Sequence, residues 1–389
     1  MTAHEHKARN EWKCGARSDG GAQKIAAFAA AATRGAACQV PNGCAKGDRI
    51  VMLTVYSPRQ YAHDPLRELN NGEWMAYAEC PARLDSMLAR MGEATAPVDN
   101  GLAAILAVHD PAYVAFLESA HQAWLAQGRN GDAIGYAFPI CGRRPLIHDR
   151  IDAKLGQFGF DAATPIATGT WGSAYWSAQS ALSALTALAE GGESQAFALC
   201  RPPGHHAGRD YFGGYCYLNN AAIAARAAAV RGLGPVAVLD VDYHNGNGTQ
   251  DIFYEDAGVF FASIHADPRT DYPYFWGHAD ECGAGPGIGT TFNQPLPRGT
   301  GWAQYEGALG AALEAIAGFG AHTLIVSYGA DTFGGDPISH FDLTTEDMYR
   351  IGACIAALAL PTLVVMEGGY NIVALGRNVE AFLAGLEGG

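Results

Sequence analysis

Apolar runs of four to six residues recur along the chain, and each ends in polar, chemically active text. Ala196–Cys200 leads into "RPPGHH", Val236–Leu239 into "DVDYHNGNG", and Val259–Ile264 ends at His265. Thr323–Ser327 leads into "YGAD" and Thr362–Met366 into "EGGY". Between these runs lie Ala- and Leu-rich stretches of helical pattern, at Ser177–Ala189, Asn220–Ala229, Gln304–Gly318 and Thr345–Leu358. Strands that alternate with helices, and are apolar on both faces, predict a parallel sheet covered on both sides. In such a sheet ligands sit at the carboxyl ends of the strands, where every one of these motifs falls. The expected fold class is therefore α/β: one three-layer domain with a central, mainly parallel sheet flanked by helices.

Two stretches interrupt the rhythm. Residues 1–49 carry 8 Lys/Arg and 4 Asp/Glu, whereas the remaining residues carry 17 and 35. This Ala- and Gly-rich basic segment reads as an atypical, disordered N-terminal extension, with a targeting segment as the alternative; the catalytic domain is expected over 50–389. Residues 125–170 are loop-like, rich in Gly, Pro and aromatics. A loop of that length in a compact domain is usually functional.

Composition narrows the function classes. The 389 residues are 49% hydrophobic and 16% charged, as in a globular protein with a large core. A net charge of −14 disfavours a nucleic-acid surface, which needs clustered Lys and Arg, and favours small cations at the mouth of a site. Nine widely spaced cysteines without a C-x-x-C argue against a disulfide framework or a cysteine zinc cluster. They read as reduced, which points to the cytoplasm. No apolar stretch reaches the length of a membrane span, so no membrane partner is expected.

The candidate chemistry lies in three motifs. Asp242 and His244 are two residues apart at a strand end, so on an extended segment they point the same way. With Asp331 from another strand they would form a site of two oxygens and one nitrogen that leaves coordination positions open for water and a carbonyl oxygen. The adjacent His205 and His206, on a turn after Pro202-Pro203-Gly204, offer a general base and an electrostatic partner, with Asp240 and Asn247 as acceptors for their other ring nitrogens. Tyr370, placed by two glycines, could donate a hydrogen bond to an oxyanion. Each motif alone reads equally well as an ordinary loop.

Their conjunction carries more. "RPPGHH", "DVDYHNGNGTQDIFY", "FASIH", "GADTFGGDPIS" and "MEGGY", in this order and spacing, resemble the metal-dependent histone deacetylase superfamily, which shares its fold with the arginases. "ALCRPPGHHAGRDYFGGYCYLNNAA" and "ADECGAGPGIGTTFNQPLP" are most similar to its acetylpolyamine amidohydrolase branch. The resemblance covers about residues 52–386 and is densest from Leu199 to Tyr370. It implies metal ligands Asp242, His244 and Asp331, with Zn2+ as the ion and Fe2+ as the alternative. It implies catalytic roles for His205, His206 and Tyr370, with Asp240 behind the first histidine and Asn247 behind the second. It further implies a structural K+ held by Asp240, Asp242, His244 and Ser263, largely through main-chain oxygens. Tyr215 and Tyr272 would wall the substrate tunnel, and Gly214 would offer a backbone contact to the substrate amide. The implied reaction is hydrolysis of an N-acyl amide, by metal-activated water, on a small cationic acyl-amine such as an acetylpolyamine. The 125–170 segment is expected to mediate a homodimer.

Two departures from the family pattern stand out. Asn245 replaces the second histidine of an H-H-G text, a position that is not a ligand. Leu155 falls where the polyamine branch has an acidic residue, with Asp152 or Asp161 as the nearby substitutes. The alternatives are a protein lysine deacylase, which needs an open tunnel mouth, and a non-catalytic acyl-amine binder, which would have lost Tyr370, a ligand or both histidines. A two-manganese arginase-like site is set aside, because position 246 is Gly where a D-x-H-x-D pattern needs Asp.

Overall fold

A computed structural model describes residues 52–140 and 148–388. The expected extension at 1–49 lies outside the described residues. Seven strands form one sheet in which every neighbouring pair is parallel: β1 (Leu53–Val55), β4 (Gln195–Ala198), β5 (Val236–Asp240), β6 (Val259–Ala266), β7 (Thr291–Leu296), β8 (Thr323–Tyr328) and β9 (Thr362–Met366). Their order across the sheet is β1-β4-β9-β8-β5-β6-β7. A separate hairpin pairs β2 (Arg67–Asn70) with β3 (Glu73–Ala76).

The strands are apolar on both faces because both faces are covered. In β5, Ala237 and Leu239 belong to one core layer and Val236 and Val238 to the other, the two-residue alternation of a pleated strand. The first layer is closed by helices α1 (Ala82–Leu88), α8 (Trp302–Phe319), α9 (Thr345–Ala356) and α10 (Ile372–Gly388), through residues such as Met87, Leu309, Ile351 and Phe382. The second is closed by α2 (Ala103–Leu106), α3 (Pro111–Ala126), α4 (Ile151–Phe158), α5 (Thr170–Glu190) and α6 (Asn220–Val230), through residues such as Ile105, Phe116, Leu155, Leu182 and Ile223. A short α7 (Asn247–Phe253) leaves the loop that follows β5. Helix starts follow local chemistry: Asn219 caps α6 by accepting from the Ala222 N–H, and Thr344 with Asp347 forms a capping box on α9.

The chain runs outward from β5 to β6 in one direction and from β8 to β9 in the other. The crevice between the carboxyl ends of β5 and β8 is therefore the topological switch point of the sheet, where ligands bind in open α/β folds.

Three expectations need correction. The 125–170 segment is not loop throughout: Ile151, Leu155 and Phe158 give α4 a buried face, and α5 begins at Thr170. Cys80, Cys200 and Cys216 are free, whereas Cys354 is disulfide-bonded. The β2–β3 hairpin was not anticipated, although Asn71-Gly72, both at positive φ, is the dipeptide that favours a tight hairpin turn. Among the described residues, no helix is long and apolar enough to cross a membrane.

Phe382 on α10 stacks on Tyr328 of β8 with ring centroids 3.9 Å apart, both rings fully buried. Phe382→Ala is expected to lower the unfolding free energy by about 3–5 kcal/mol, as measured by urea denaturation.

Candidate active site

Three loops close on the switch point. The loop after β5 carries Asp242 and His244, the turn after β8 carries Asp331, and the segment after β4 carries His205 and His206. His244 Nδ1 lies 3.3 Å from Asp242 Oδ1 and 3.2 Å from Asp331 Oδ2. One ligating atom from each of the three falls within 4.8 Å of the others, and both carboxylates are fully buried. Two glycines make this approach possible. A Cβ at Gly329 would stand 2.0 Å from Asp242 Oδ2, and one at Gly368 would stand 2.6 Å from Asp331 Oδ2 and 2.7 Å from Asp242 Oδ2.

Two buried carboxylates this close repel each other. Burial, and then the Asp242 charge, push the Asp331 carboxyl up to about 7. Among the described residues no Lys or Arg pairs with either carboxylate; their ion-pair partners are His205 and His244. Two carboxylates converging on one imidazole, with coordination positions left toward the cavity, form a donor set that fits a divalent cation.

The paired histidines differ in environment. His205 Nδ1 donates to Asp240 Oδ2 at 3.0 Å, and its Nε2 lies 3.8 Å from Asp242 Oδ1. Burial alone would lower its pKa, but the carboxylates of Asp242 and Asp240 override that and hold it up at about 10. His206 Nδ1 faces Asn247 Oδ1 at 2.6 Å, and burial together with the positive His205 and His244 holds its pKa well below the usual histidine value. The rings are 4.0 Å apart, one charged and one neutral.

A cavity of about 440 Å³ opens above these groups. His206, His244, Gly214, Tyr215, Tyr272 and Tyr370 line it, so the expected wall and site residues converge on one space. Gly214 has a φ of +54°, and a Cβ there would come within 2.2 Å of the His206 ring, so the backbone at the wall can only be glycine. The Tyr370 N–H donates to Asp336 Oδ2 at 2.6 Å, and the Arg83 guanidinium stands 5.0 Å over its ring. Burial keeps the Tyr370 phenol protonated, with a pKa far above its ordinary value. The four residues named for potassium are also adjacent: Asp240 is the cross-strand partner of Ser263, and Asp242 and His244 follow on the same loop.

The acidic substitutes separate. Leu155 is core, and Asp152 pairs with Arg129 and Arg150 away from the cavity. Asp161 lines the cavity, and its Oδ2 accepts from the Gly214 N–H at 2.6 Å and the Tyr272 hydroxyl at 2.9 Å. Sequence reasoning missed Glu68 on β2, a buried carboxylate that accepts from the Tyr215 hydroxyl at 3.0 Å. It also missed Glu367, which accepts from the N–H groups of Gly204 and His205 and so fixes the histidine turn. The hairpin signal at Asn71-Gly72 could have drawn attention to Glu68. Glu367 lies within the quoted MEGGY text, but its role depends on β9 lying beside β4.

The histone deacetylase domain family matches residues 77–386. The chain belongs to the histone deacetylase family. Within it, this deacetylase-family protein is 51% identical over 342 residues to acetylpolyamine amidohydrolase 2 of Pseudomonas aeruginosa, an alignment covering 87% of this chain and 99% of the relative. It is 46% identical over 342 residues to acetylpolyamine amidohydrolase of Mycoplana ramosa, covering 87% of this chain and all of the relative. Among solved structures, the acetylpolyamine aminohydrolase of Burkholderia pseudomallei superposes with a TM-score of 0.81 at 41% identity, covering 86% of this chain and 98% of that one. The family protein described here therefore falls in the acetylpolyamine branch of the superfamily.

One buried histidine outside the cavity supports the whole segment 204–219. His109 Nδ1 donates to the Gly208 carbonyl at 2.8 Å, while its Nε2 accepts from the Asn219 N–H at 2.9 Å. Protonation would destroy the second bond, and burial lowers its pKa to about 4. In the unfolded chain the same group titrates near 6.5. Below that pH the unfolded state binds the proton first, so this contribution is present above pH ~6.5 and lost as pH falls toward 4. Equilibrium unfolding across this range should show the wild-type protein losing roughly 3 kcal/mol more than His109→Gln.

Proposed function

We propose that this metal-dependent deacetylase hydrolyses N-acetylated polyamines, or related N-acyl small primary amines, to the free amine and the carboxylic acid. The observation that carries the reading is the convergence on one walled cavity of a neutral His206, a ligand group fit for a divalent cation, and a protonated tyrosine, with a protonated His205 directly behind. Asp242, His244 and Asp331 are the proposed ligands, and zinc, with iron(II) as the alternative, is the proposed ion. When bound, the metal would polarise the amide carbonyl and acidify a water molecule.

The chain's own residues do the rest. His206 has its Nδ1 tied to Asn247, which leaves Nε2 as an acceptor. Neutral at physiological pH, it takes the proton of the attacking water at Nε2 and returns it to the leaving amine nitrogen. His205 does not line the cavity. Held protonated by Asp242 and Asp240, it supplies a fixed positive charge behind His206 that stabilises developing negative charge. Tyr370 donates a hydrogen bond from its hydroxyl to the carbonyl oxygen as that oxygen gains charge. Tyr215 and Tyr272 enclose the alkyl stem of the acyl amine, and Gly214 supplies a backbone contact to the amide.

Polyamine chemistry is supported by the name shared by the relatives at 46–51% identity and by two carboxyl groups, Asp161 in the cavity lining and Glu68 behind Tyr215. The reading includes a homodimer through the 125–170 segment. In that segment Tyr136 and Ile140 are 79% and 72% exposed, and apolar side chains so open to water suit a covered surface. It also includes a structural potassium ion on Asp240, Asp242, His244 and Ser263, supported by the pairing of Asp240 with Ser263.

Amine release from an N-acetylated polyamine, beside an acetyl-lysine peptide, tests the reading. The polyamine is expected to turn over and the peptide to turn over poorly. A chelator should abolish activity, and added zinc should restore it. Tyr370→Phe should lower kcat by about 10²–10³-fold with a smaller change in KM. Efficient peptide turnover would replace the reading by lysine deacetylation, and a metal-loaded protein that turns over neither substrate would overturn it.

A further inference from the structure

Behind His206 the polar contacts continue outward to the protein surface. Asn247 opens α7, and Asp251 follows one turn later on the same helix face. Tyr211 bridges them: its hydroxyl lies 2.6 Å from Asp251 Oδ2, much closer than the Asn247 carbonyl at 3.4 Å, and 3.4 Å from Asn247 Nδ2. The Trp276 indole N–H donates to the same Asp251 oxygen at 3.1 Å. Tyr211 is held in place by close packing, since a Cβ at Gly208 would stand 2.2 Å from its ring, and by the Gly208 N–H, which donates to the Tyr211 carbonyl at 3.0 Å.

The directions of these bonds are fixed from the outside in. An ionised carboxylate only accepts, so the single hydroxyl proton of Tyr211 goes to Asp251. What Tyr211 then presents to Asn247 is a lone pair, and only the amide NH₂ is favourable against it. That turns Asn247 Oδ1 toward His206. Oδ1 only accepts, so the His206 proton resides on Nδ1 and the lone pair on Nε2. His205 needs no such device, because its partner Asp240 has two oxygens and neither donates. An amide offers an oxygen and a nitrogen of nearly the same shape, and something beyond it must say which faces inward.

We infer that Asp251, acting through Tyr211, sets the amide orientation of Asn247 and thereby the ring tautomer of His206. Asp251 and Tyr211 are positioning residues: neither lines the cavity. The inference rests on the reading of His206 as the base, and it explains how an asparagine at position 247 serves where a carboxylate would do so unaided.

The experiment compares Tyr211→Phe and Asp251→Ala in two backgrounds. In the native background each is expected to lower kcat on the acetylated polyamine by roughly ten- to a hundredfold with KM unchanged. With Asn247→Asp already in place, whose two oxygens make orientation irrelevant, each should change kcat by less than about twofold. An equal loss in both backgrounds would mean a merely structural role and would overturn the inference. A second readout is independent of turnover: ¹⁵N NMR of the histidine rings in the metal-free protein, with the His206 signals assigned from His206→Ala. The wild-type protein should show Nδ1–H, and Asp251→Ala a substantial Nε2–H population. An unchanged Nδ1–H tautomer in Asp251→Ala would also overturn it. If instead His206→Ala kept full activity, the base assignment would fail while the tautomer result stood on its own.

Discussion

Four carboxylates, Asp240, Asp242, Asp331 and Glu367, lie fully buried at the carboxyl edge of a parallel sheet, and the surrounding structure answers to that concentration of negative charge. An isolated buried charge is costly, so each must be paired, hydrogen-bonded or matched by a metal. Glu367 is matched by backbone N–H groups and the Ser327 hydroxyl, Asp240 by His205, and Asp242 by His205 and His244. Asp331 accepts the Tyr243 N–H and shares the His244 imidazole with Asp242, so two carboxylates converge on one ring in a group fit to hold a cation. The same charges hold His205 protonated, whereas burial, and then the positive His205 and His244, keep His206 neutral. Burial and neighbouring charge together divide two adjacent histidines into a fixed cation and a proton acceptor.

The backbone accommodates this charge by close approach. Gly329 and Gly368 let two turns press against the carboxylates of Asp242 and Asp331, and Gly214 lets the tunnel wall press against His206. Farther out, the walls are tethered by hydrogen bonds as well as by packing. Tyr215 donates to Glu68 of the hairpin, and Tyr272 donates to Asp161, which also receives the Gly214 N–H. A tunnel held this way presents aromatic faces backed by carboxyl groups, an environment suited to an alkyl chain ending in ammonium groups.

The departure at Asn245 has a physical account. Its side chain is buried and turned away from the ligand group, with Nδ2 3.3 Å from Asn293 Oδ1 and 3.4 Å from His265 Nδ1. His265 in turn receives the Ser263 hydroxyl on Nδ1 and donates from Nε2 to the Gly277 carbonyl. Asn245 therefore belongs to a polar network between β6, β7 and the 277 turn rather than to the group of Asp242, His244 and Asp331.

Much of this was legible in the chain. Apolar runs of strand length, each ending in Asp, His or Gly, determined a parallel sheet with its chemistry at one edge, because a strand covered on both faces has no other place for polar groups. The motif order determined which residues meet there. Tertiary structure alone decided the rest. That Asp161 rather than Asp152 reaches the cavity depends on α4 burying Leu155 and turning Asp152 toward Arg129 and Arg150. That Glu68 stands behind Tyr215, 147 residues away in sequence, depends on where a two-stranded hairpin docks. That His205 is charged and His206 neutral depends on distances between four loops, and no local pattern encodes those. Periodicity and composition act over a few residues and are written in the sequence. Electrostatic coupling acts across space, and only the folded chain sets it.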